Sequence, residues 1–219
     1  MIKPDWHHID TLLLDMDGVL LDLAYDNWFW HQFFPVAFAR HHRLSQDDAN
    51  RQVQRLMEDN WGTLEWYSLD FWQRITGVDV VALKEQTRDR IAFRPQAQQF
   101  LAQLSSLGKR VLLTTNAHPE TLRIKLETTG IDRYFDQLVS SADYGAAKEE
   151  QAFWQQLEQR QGVDAQRCFF LDDSLTVLDS ARQFGVGHLY SIRQPDSARP
   201  PRAHTDPFPC VDNLLELLP

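Results

Sequence analysis

The stretch TLLLDMDGVLLD, which begins at Thr11, sets two carboxylates, Asp15 and Asp17, at the end of an apolar run. A carboxylate beside a buried strand is costly to desolvate unless it meets a cation, a dense set of hydrogen bonds or a reacting substrate. Two residues apart in extended backbone, the pair shares one face. Further along, three more groups of polar residues end or follow apolar segments: Thr114, Thr115 and Asn116 after VLL, Lys148 in AAKEEQAFW, and Asp172 with Asp173 after CFFL. Three or four carboxylates within a few Å repel by about 4 kcal/mol per close pair at an effective dielectric of 20. Their convergence therefore implies a divalent cation, and an all-oxygen donor set suits Mg²⁺.

Each group also has an ordinary explanation. An Asp-x-Asp pair can cap a helix or line a turn. Thr115 and Asn116 can be turn residues before Pro119, Asp172 and Asp173 can cap a helix beginning near Leu175, and Lys148 can be a solvated surface lysine. What favours chemistry is that every group follows an apolar strand signal, because in an open parallel sheet the ligand crevice lies at the carboxyl ends of the strands.

The elements that must position these residues alternate from about residue 94 onward. RPQAQQFLAQLSSLG carries apolar residues at helical spacing between Pro95 and Gly108, and KRVLLTTN reads as a short buried strand. PETLRIKLETTG is then a helix, YFDQLVSS a strand, EEQAFWQQLEQRQG a helix, RCFFLDD a strand, LTVLDSARQFG a helix and GHLYSI a last strand. The Pro-rich QPDSARPPRAHTDPFP reads as an irregular excursion before a closing helix in VDNLLELL. The pattern predicts an α/β fold: a doubly wound, Rossmann-like parallel sheet.

Residues 23–92 lack strand signals and carry aromatics at helical spacing, among them Trp30, Phe33, Phe34 and Phe38, then Tyr67, Phe71 and Trp72. They read as a helical cap inserted after the first strand, with 1–22 and 93–219 forming the core. Asp22 is the expected N-cap of its first helix. Most of the cap aromatics are expected to be core, since a small helical insertion needs large apolar side chains. Trp61, at the break before Gly62, is the candidate to reach a substrate. The adjacent pairs His7–His8 and His41–His42 have no ligand spacing and are expected at the surface.

Composition narrows the function. The chain has 219 residues, 43% hydrophobic, with a net charge of −9. It has no Lys/Arg stripe of the kind that neutralises a nucleic-acid backbone, so polymer binding is not expected. No apolar stretch reaches the roughly 18–20 residues of a membrane span, and MIKPDWHHID lacks the apolar region of a signal peptide, so a cytoplasmic location away from membranes is expected. Cys168 and Cys210 form no paired motif, and Cys168 is expected to be a small buried hydrophobe.

DMDGVLLD, the strand ending in TTN, the lysine of GAAKEEQAF and FLDDS fall in the order and approximate spacing of the four motifs of the haloacid dehalogenase-like superfamily, which the chain resembles over nearly its whole length. The resemblance implies that Asp15 is a nucleophile forming an aspartyl-phosphate and that Asp17 is the general acid and base. It implies Mg²⁺ held by Asp15, the backbone carbonyl of Asp17, Asp173 and, directly or through water, Asp172. Thr115 and Asn116 are implied to donate to phosphoryl oxygens, with Lys148 offsetting charge. Two positions depart from the usual pattern: Val19 stands where the superfamily often has Thr, and Glu149 where it often has Pro after the lysine.

The implied function is a Mg²⁺-dependent phosphomonoesterase. Its expected partner is a small phosphorylated metabolite, and the more specific likeness is to phosphatases of purine nucleoside monophosphates such as GMP and IMP. Sugar-phosphate or phosphoglycolate phosphatases, phosphomutases and dehalogenases are the alternatives among enzymes, and Asp17 argues against the last. A catalytically silent nucleotide-binding module is the alternative of another class.

Overall fold

The computed structural model describes residues 3–219. Six parallel strands build one sheet: β1 (Thr11–Leu14), β2 (Arg110–Thr115), β3 (Gln137–Ser140), β4 (Cys168–Asp172), β5 (His188–Ile192) and β6 (Cys210–Val211). Their order is β3-β2-β1-β4-β5-β6, the doubly wound arrangement in which strand order reverses beside β1. The register Leu14↔Leu113 and Leu14↔Leu171 brings the ends of β1, β2 and β4 level, so the residues after them share one rim.

The alternation of side chains explains how a run of leucines is fully buried. Leu12 and Leu14 of β1 and Phe169 and Leu171 of β4 pack on one face, whereas Leu13, Cys168 and Phe170 pack on the other. Helices α7 (Ala97–Leu104) and α8 (Pro119–Thr129) cover the first face, and α10 (Gln151–Gln161) and α11 (Leu175–Phe184) cover the second. A short helix, α9 (Ser141–Tyr144), follows β3. Covered on both faces, the strands need no polar side, which is why they read as continuous apolar runs.

Between β1 and α7 the chain forms the helical cap: α1 (Ala24–Trp28), α2 (Phe34–His42), α3 (Gln46–Asn60), α4 (Leu64–Tyr67), α5 (Leu69–Thr76) and α6 (Val80–Gln86), with a π-helical stretch over Phe29–Phe33 joining the first two. Phe29, Phe34, Phe38 and Trp72 form its own apolar core, as a small insertion requires. His7, His8, His41 and His42 are exposed and Cys168 is buried, as their sequence contexts suggest.

Three expectations need correction. Leu23, not Asp22, occupies the N-cap of α1, and Asp22 Oδ1 accepts from the backbone N–H groups of Ala24 and Ser197 at 3.0 Å each. The carboxylate thus ties the start of the cap to the Pro-rich excursion. The strand β5 is followed by a sixth, β6, whose two residues are too few to show a period. The closing segment is a 3₁₀ turn over Leu214–Leu217 in place of an α-helix, opened by the Asn213 side chain accepting from Leu215 N–H.

Candidate active site

Asp15 stands one residue beyond β1 and Asp172 closes β4, so the order reversal of the sheet sets these carboxylates side by side. Lys148, ahead of α10, reaches between them. Its Nζ donates to Asp15 Oδ1 and Asp172 Oδ2, each at 2.7 Å, and to the carbonyl of Thr114 at 3.0 Å. The lysine is only 2% exposed, so three acceptors take the place of its hydration. Burial alone would discharge Lys148, but the two carboxylates outweigh it and keep the ammonium charged well above its usual range.

The acidic side chains feel the opposite balance. Burial pushes Asp15 up to about 8, opposed by Lys148 and reinforced by Asp172 and Asp17. Asp172 is raised to about 6 and Asp173 to about 7, again mainly by burial, with neighbouring carboxylates adding to it. Lys148, with Arg202 beside Asp173, does not offset the combined burial and mutual repulsion of these carboxylates. Carboxylate oxygens of Asp15, Asp172 and Asp173 lie within 4.8 Å of one another, an all-oxygen donor set that fits a hard divalent ion such as Mg²⁺.

Local structure aims each of these groups. Asp172 Oδ1 accepts from Ser174 N–H at 2.7 Å, so both of its oxygens are engaged. Arg202, from the Pro-rich excursion, donates to the carbonyl of Asp173 and to its Oδ2, the latter at 3.3 Å. Gly18 has φ +77°, and a Cβ there would lie 2.7 Å from Asp173 Cγ; only glycine lets the first loop approach that carboxylate.

The turn after β2 is held by its own side chains. Thr115 Oγ1 accepts from Ala117 N–H at 3.0 Å, and Asn116 Oδ1 accepts from Lys148 N–H at 2.9 Å. Asn116 Nδ2 donates to Glu149 Oε2 at 2.9 Å, while Tyr67 of the cap donates to Glu149 Oε1 at 2.7 Å. Thr115 keeps its hydroxyl proton for a ligand. Glu149, where the superfamily often has Pro, thereby joins the cap to the turn.

Asp17 points away from Lys148 and toward α8. Its Oδ1 accepts from Lys125 Nζ at 2.6 Å, and Lys125 also donates to Asp26 Oδ2 of α1 at 2.6 Å. Burial raises the Asp17 carboxyl despite Lys125. A cleft of about 430 Å³ opens over these groups, lined by Asp15, Asp17, Asn116 and Lys148 below and by Trp30, Trp61 and Tyr67 of the cap above. Trp61 is 73% exposed and meets Trp66 edge-on at 4.9 Å between ring centroids.

The residues singled out from the sequence thus meet in two groups: Asp15, Asp172, Asp173 and Lys148 with the Thr115–Asn116 turn, and Asp17 apart with Lys125. Missing from the sequence reading were Lys125, Asp26, Lys84 and Arg202, and Tyr67 was read only among the cap aromatics. The available signal for Lys125 and Lys84 was a lysine on the buried stripe of its helix, one following Thr121 and Leu122, the other following Val80.

The family model of haloacid dehalogenase-like hydrolases matches residues 9–185, and the chain belongs to that family. It is 36% identical over 214 residues to a GMP/IMP nucleotidase, YrfG, of Escherichia coli, covering 98% of this chain and 96% of the relative. It is 23% identical over 227 residues to a phosphoglycolate phosphatase of Nitrosococcus oceani, covering 95% of this chain and 94% of that one. A phosphatase of the same family from Thermococcus onnurineus superposes with a TM-score of 0.77 at 23% identity, over 95% of this chain and 96% of that one.

Proposed function

We propose that this phosphoric monoester hydrolase removes phosphate from purine nucleoside 5′-monophosphates such as GMP and IMP, with Mg²⁺ as cofactor. The observation that carries the reaction is Asp15 at the order reversal of the sheet, with one oxygen on Lys148 and Asp17 two residues further on. The 36% identity to a GMP/IMP nucleotidase along nearly the whole chain supports the substrate. The cleft volume lies within the range of about 300–1,000 Å³ usual for small-ligand sites.

In the proposed reaction Asp15 attacks phosphorus, the bond from phosphorus to the ester oxygen breaks, and protonated Asp17 gives its proton to the leaving alkoxide. Water then attacks the aspartyl-phosphate while ionised Asp17 takes its proton, and breakage of the bond between phosphorus and Asp15 releases phosphate. Thr115 and Asn116 donate to phosphoryl oxygens, and Lys148 offsets charge on Asp15 and the phosphate. A divalent cation held by Asp15, Asp173, the Asp17 carbonyl and Asp172 supplies charge compensation that lets two anions approach. The chain divides in this reading into a core of 1–22 and 93–219 and a cap of 23–92 that covers the cleft.

The test is phosphate release with Mg²⁺ across GMP, IMP, other nucleotides, sugar phosphates and phosphoglycolate. Preference for GMP and IMP is expected. A flat profile, or preference for phosphoglycolate, overturns the substrate, and no release from any ester overturns the reaction.

A further inference from the structure

Three charged side chains beneath the cleft take no part in the steps above: Lys125 of α8, Asp26 of α1 and Lys84 of α6. Lys125 and Lys84 are 1% and 2% exposed, a burial that lysine accepts only with partners. Lys125 Nζ is shared equally, at 2.6 Å each, between Asp17 Oδ1 and Asp26 Oδ2. Lys84 Nζ in turn donates to Asp26 Oδ1 at 3.3 Å and sits 4.3 Å from the centre of the Phe29 ring. An unbroken chain, Asp17–Lys125–Asp26–Lys84, therefore runs from the proposed proton donor through the core helix α8 into two helices of the cap. Further ion pairs run alongside it: Arg123 of α8 with Glu85 of α6 at 2.7 Å, and Arg88, in the 3₁₀ turn after α6, with Glu127 of α8 at 3.6 Å.

We infer that Lys125 is a positioning residue for Asp17, and that Asp26 and Lys84 hold Lys125 so that the proton donor is aimed only when α1 and α6 of the cap are seated on α8. The geometry states the reason. Asp17 is partly exposed and its side chain can rotate, but an ammonium on Oδ1 fixes the carboxylate plane and leaves Oδ2 for the ester oxygen. A lysine with a single carboxylate partner would follow Asp17 as it turned; the second partner, Asp26, pins it from the opposite side. The inference rests on the reading of Asp17 as proton donor to the leaving oxygen, and not on which ester is the natural substrate.

The leaving group separates aiming from folding. An alkoxide must be protonated as it departs, whereas 4-nitrophenolate departs without help, so a misaimed donor penalises only the first. kcat/KM reports the step up to departure of the leaving group, which excludes later hydrolysis of the phosphoenzyme. Lys125→Met is expected to lower kcat/KM for IMP at least about tenfold more than for 4-nitrophenyl phosphate. Arg167→Met, which removes the ion pair with Asp10 at the far end of the sheet and leaves the chain from Asp17 to Lys84 in place, is expected to keep the ratio of the two unchanged. Where Lys125→Met does not fold, Asp26→Asn provides the same measurement, with the ratio dropping at least about threefold. An unchanged ratio in Lys125→Met, or in Asp26→Asn where Lys125→Met does not fold, overturns the inference. Any alkyl phosphate that the wild type hydrolyses serves in place of IMP, so the nucleotide preference can fail while the positioning role stands, or the reverse.

Discussion

Lys148 and Lys125 each sit buried between two aspartates, yet they belong to different parts of the molecule. Lys148 comes from a loop of the core and bridges Asp15 and Asp172, which close neighbouring strands. Lys125 comes from the middle of α8 and bridges Asp17 of the core to Asp26 of the cap. The first lysine offsets charge where the sheet itself has gathered carboxylates. The second joins two pieces of chain that the sheet does not align. Equal chemistry, a lysine between two acids, thus serves neutralisation in one corner and orientation in the other.

The largest effect should come from breaking the Lys148 corner. Asp15→Asn is expected to abolish turnover with the far-ultraviolet circular dichroism unchanged; near-normal phosphate release would remove Asp15 as nucleophile. Lys148→Met is expected to lower kcat/KM by about 10²–10³ on alkyl and aryl phosphates alike, because it serves the attacking group and the phosphate. Selective loss on alkyl esters would erase the difference between the two lysines.

Metal binding sharpens the same contrast. Mg²⁺ at a hundredfold excess over its dissociation constant stabilises a folded chain by about 2.7 kcal/mol, or roughly 5–10 °C at this size. Calorimetry should show a rise of that order in wild type and its loss on chelation. Asp173→Asn should remove most of the rise, and Asp26→Asn, in the other corner, should keep it. A wild-type Tm indifferent to Mg²⁺ would dismiss the cation.

Two smaller effects concern the loops around Lys148. Gly18→Ala forces a Cβ against Asp173 and should weaken apparent Mg²⁺ affinity by about tenfold, read from the activation curve. Glu149→Ala removes the acceptor shared by Tyr67 and Asn116 and should raise KM several-fold, the scale of about 1 kcal/mol for one hydrogen bond. Unchanged KM would make that contact incidental.

The contrast between the corners also explains what the sequence could reveal. Asp15, Asp172 and Asp173 were legible because each ends an apolar strand, and parallel strands covered on both faces leave few places for a carboxylate except the rim. Lys148 was legible through its place among the four motifs and as the only lysine or arginine between Arg133 and Arg160. Lys125 lies inside PETLRIKLETTG, where a lysine ordinarily marks the solvated face of a helix. Its place on the apolar stripe of the helix was the one hint, and the packing of α6 on α8 with the contact to Asp26 of α1 keeps it inward. Asp26 and Lys84 are hidden for the same reason, since their partners lie 99 and 58 residues away from Asp26. The two-residue strand β6 escaped notice because its identity comes from pairing with β5, and no period can show in Cys210–Val211.

One feature of the cap junction reaches beyond catalysis. Leu21 pairs antiparallel with Phe93, Asp22 N–H donates to the carbonyl of Ala92 at 2.9 Å, and Arg94 N–H donates to the carbonyl of Leu20 at 2.9 Å. The outgoing and returning chains are therefore stitched together at the very edge of the α/β scaffold. A segment entering and leaving through one such gate can be lengthened, shortened or exchanged for another without moving a strand of the sheet. The junction is a natural splice point, and a lineage could remodel what the enzyme accepts while inheriting the catalytic rim unaltered.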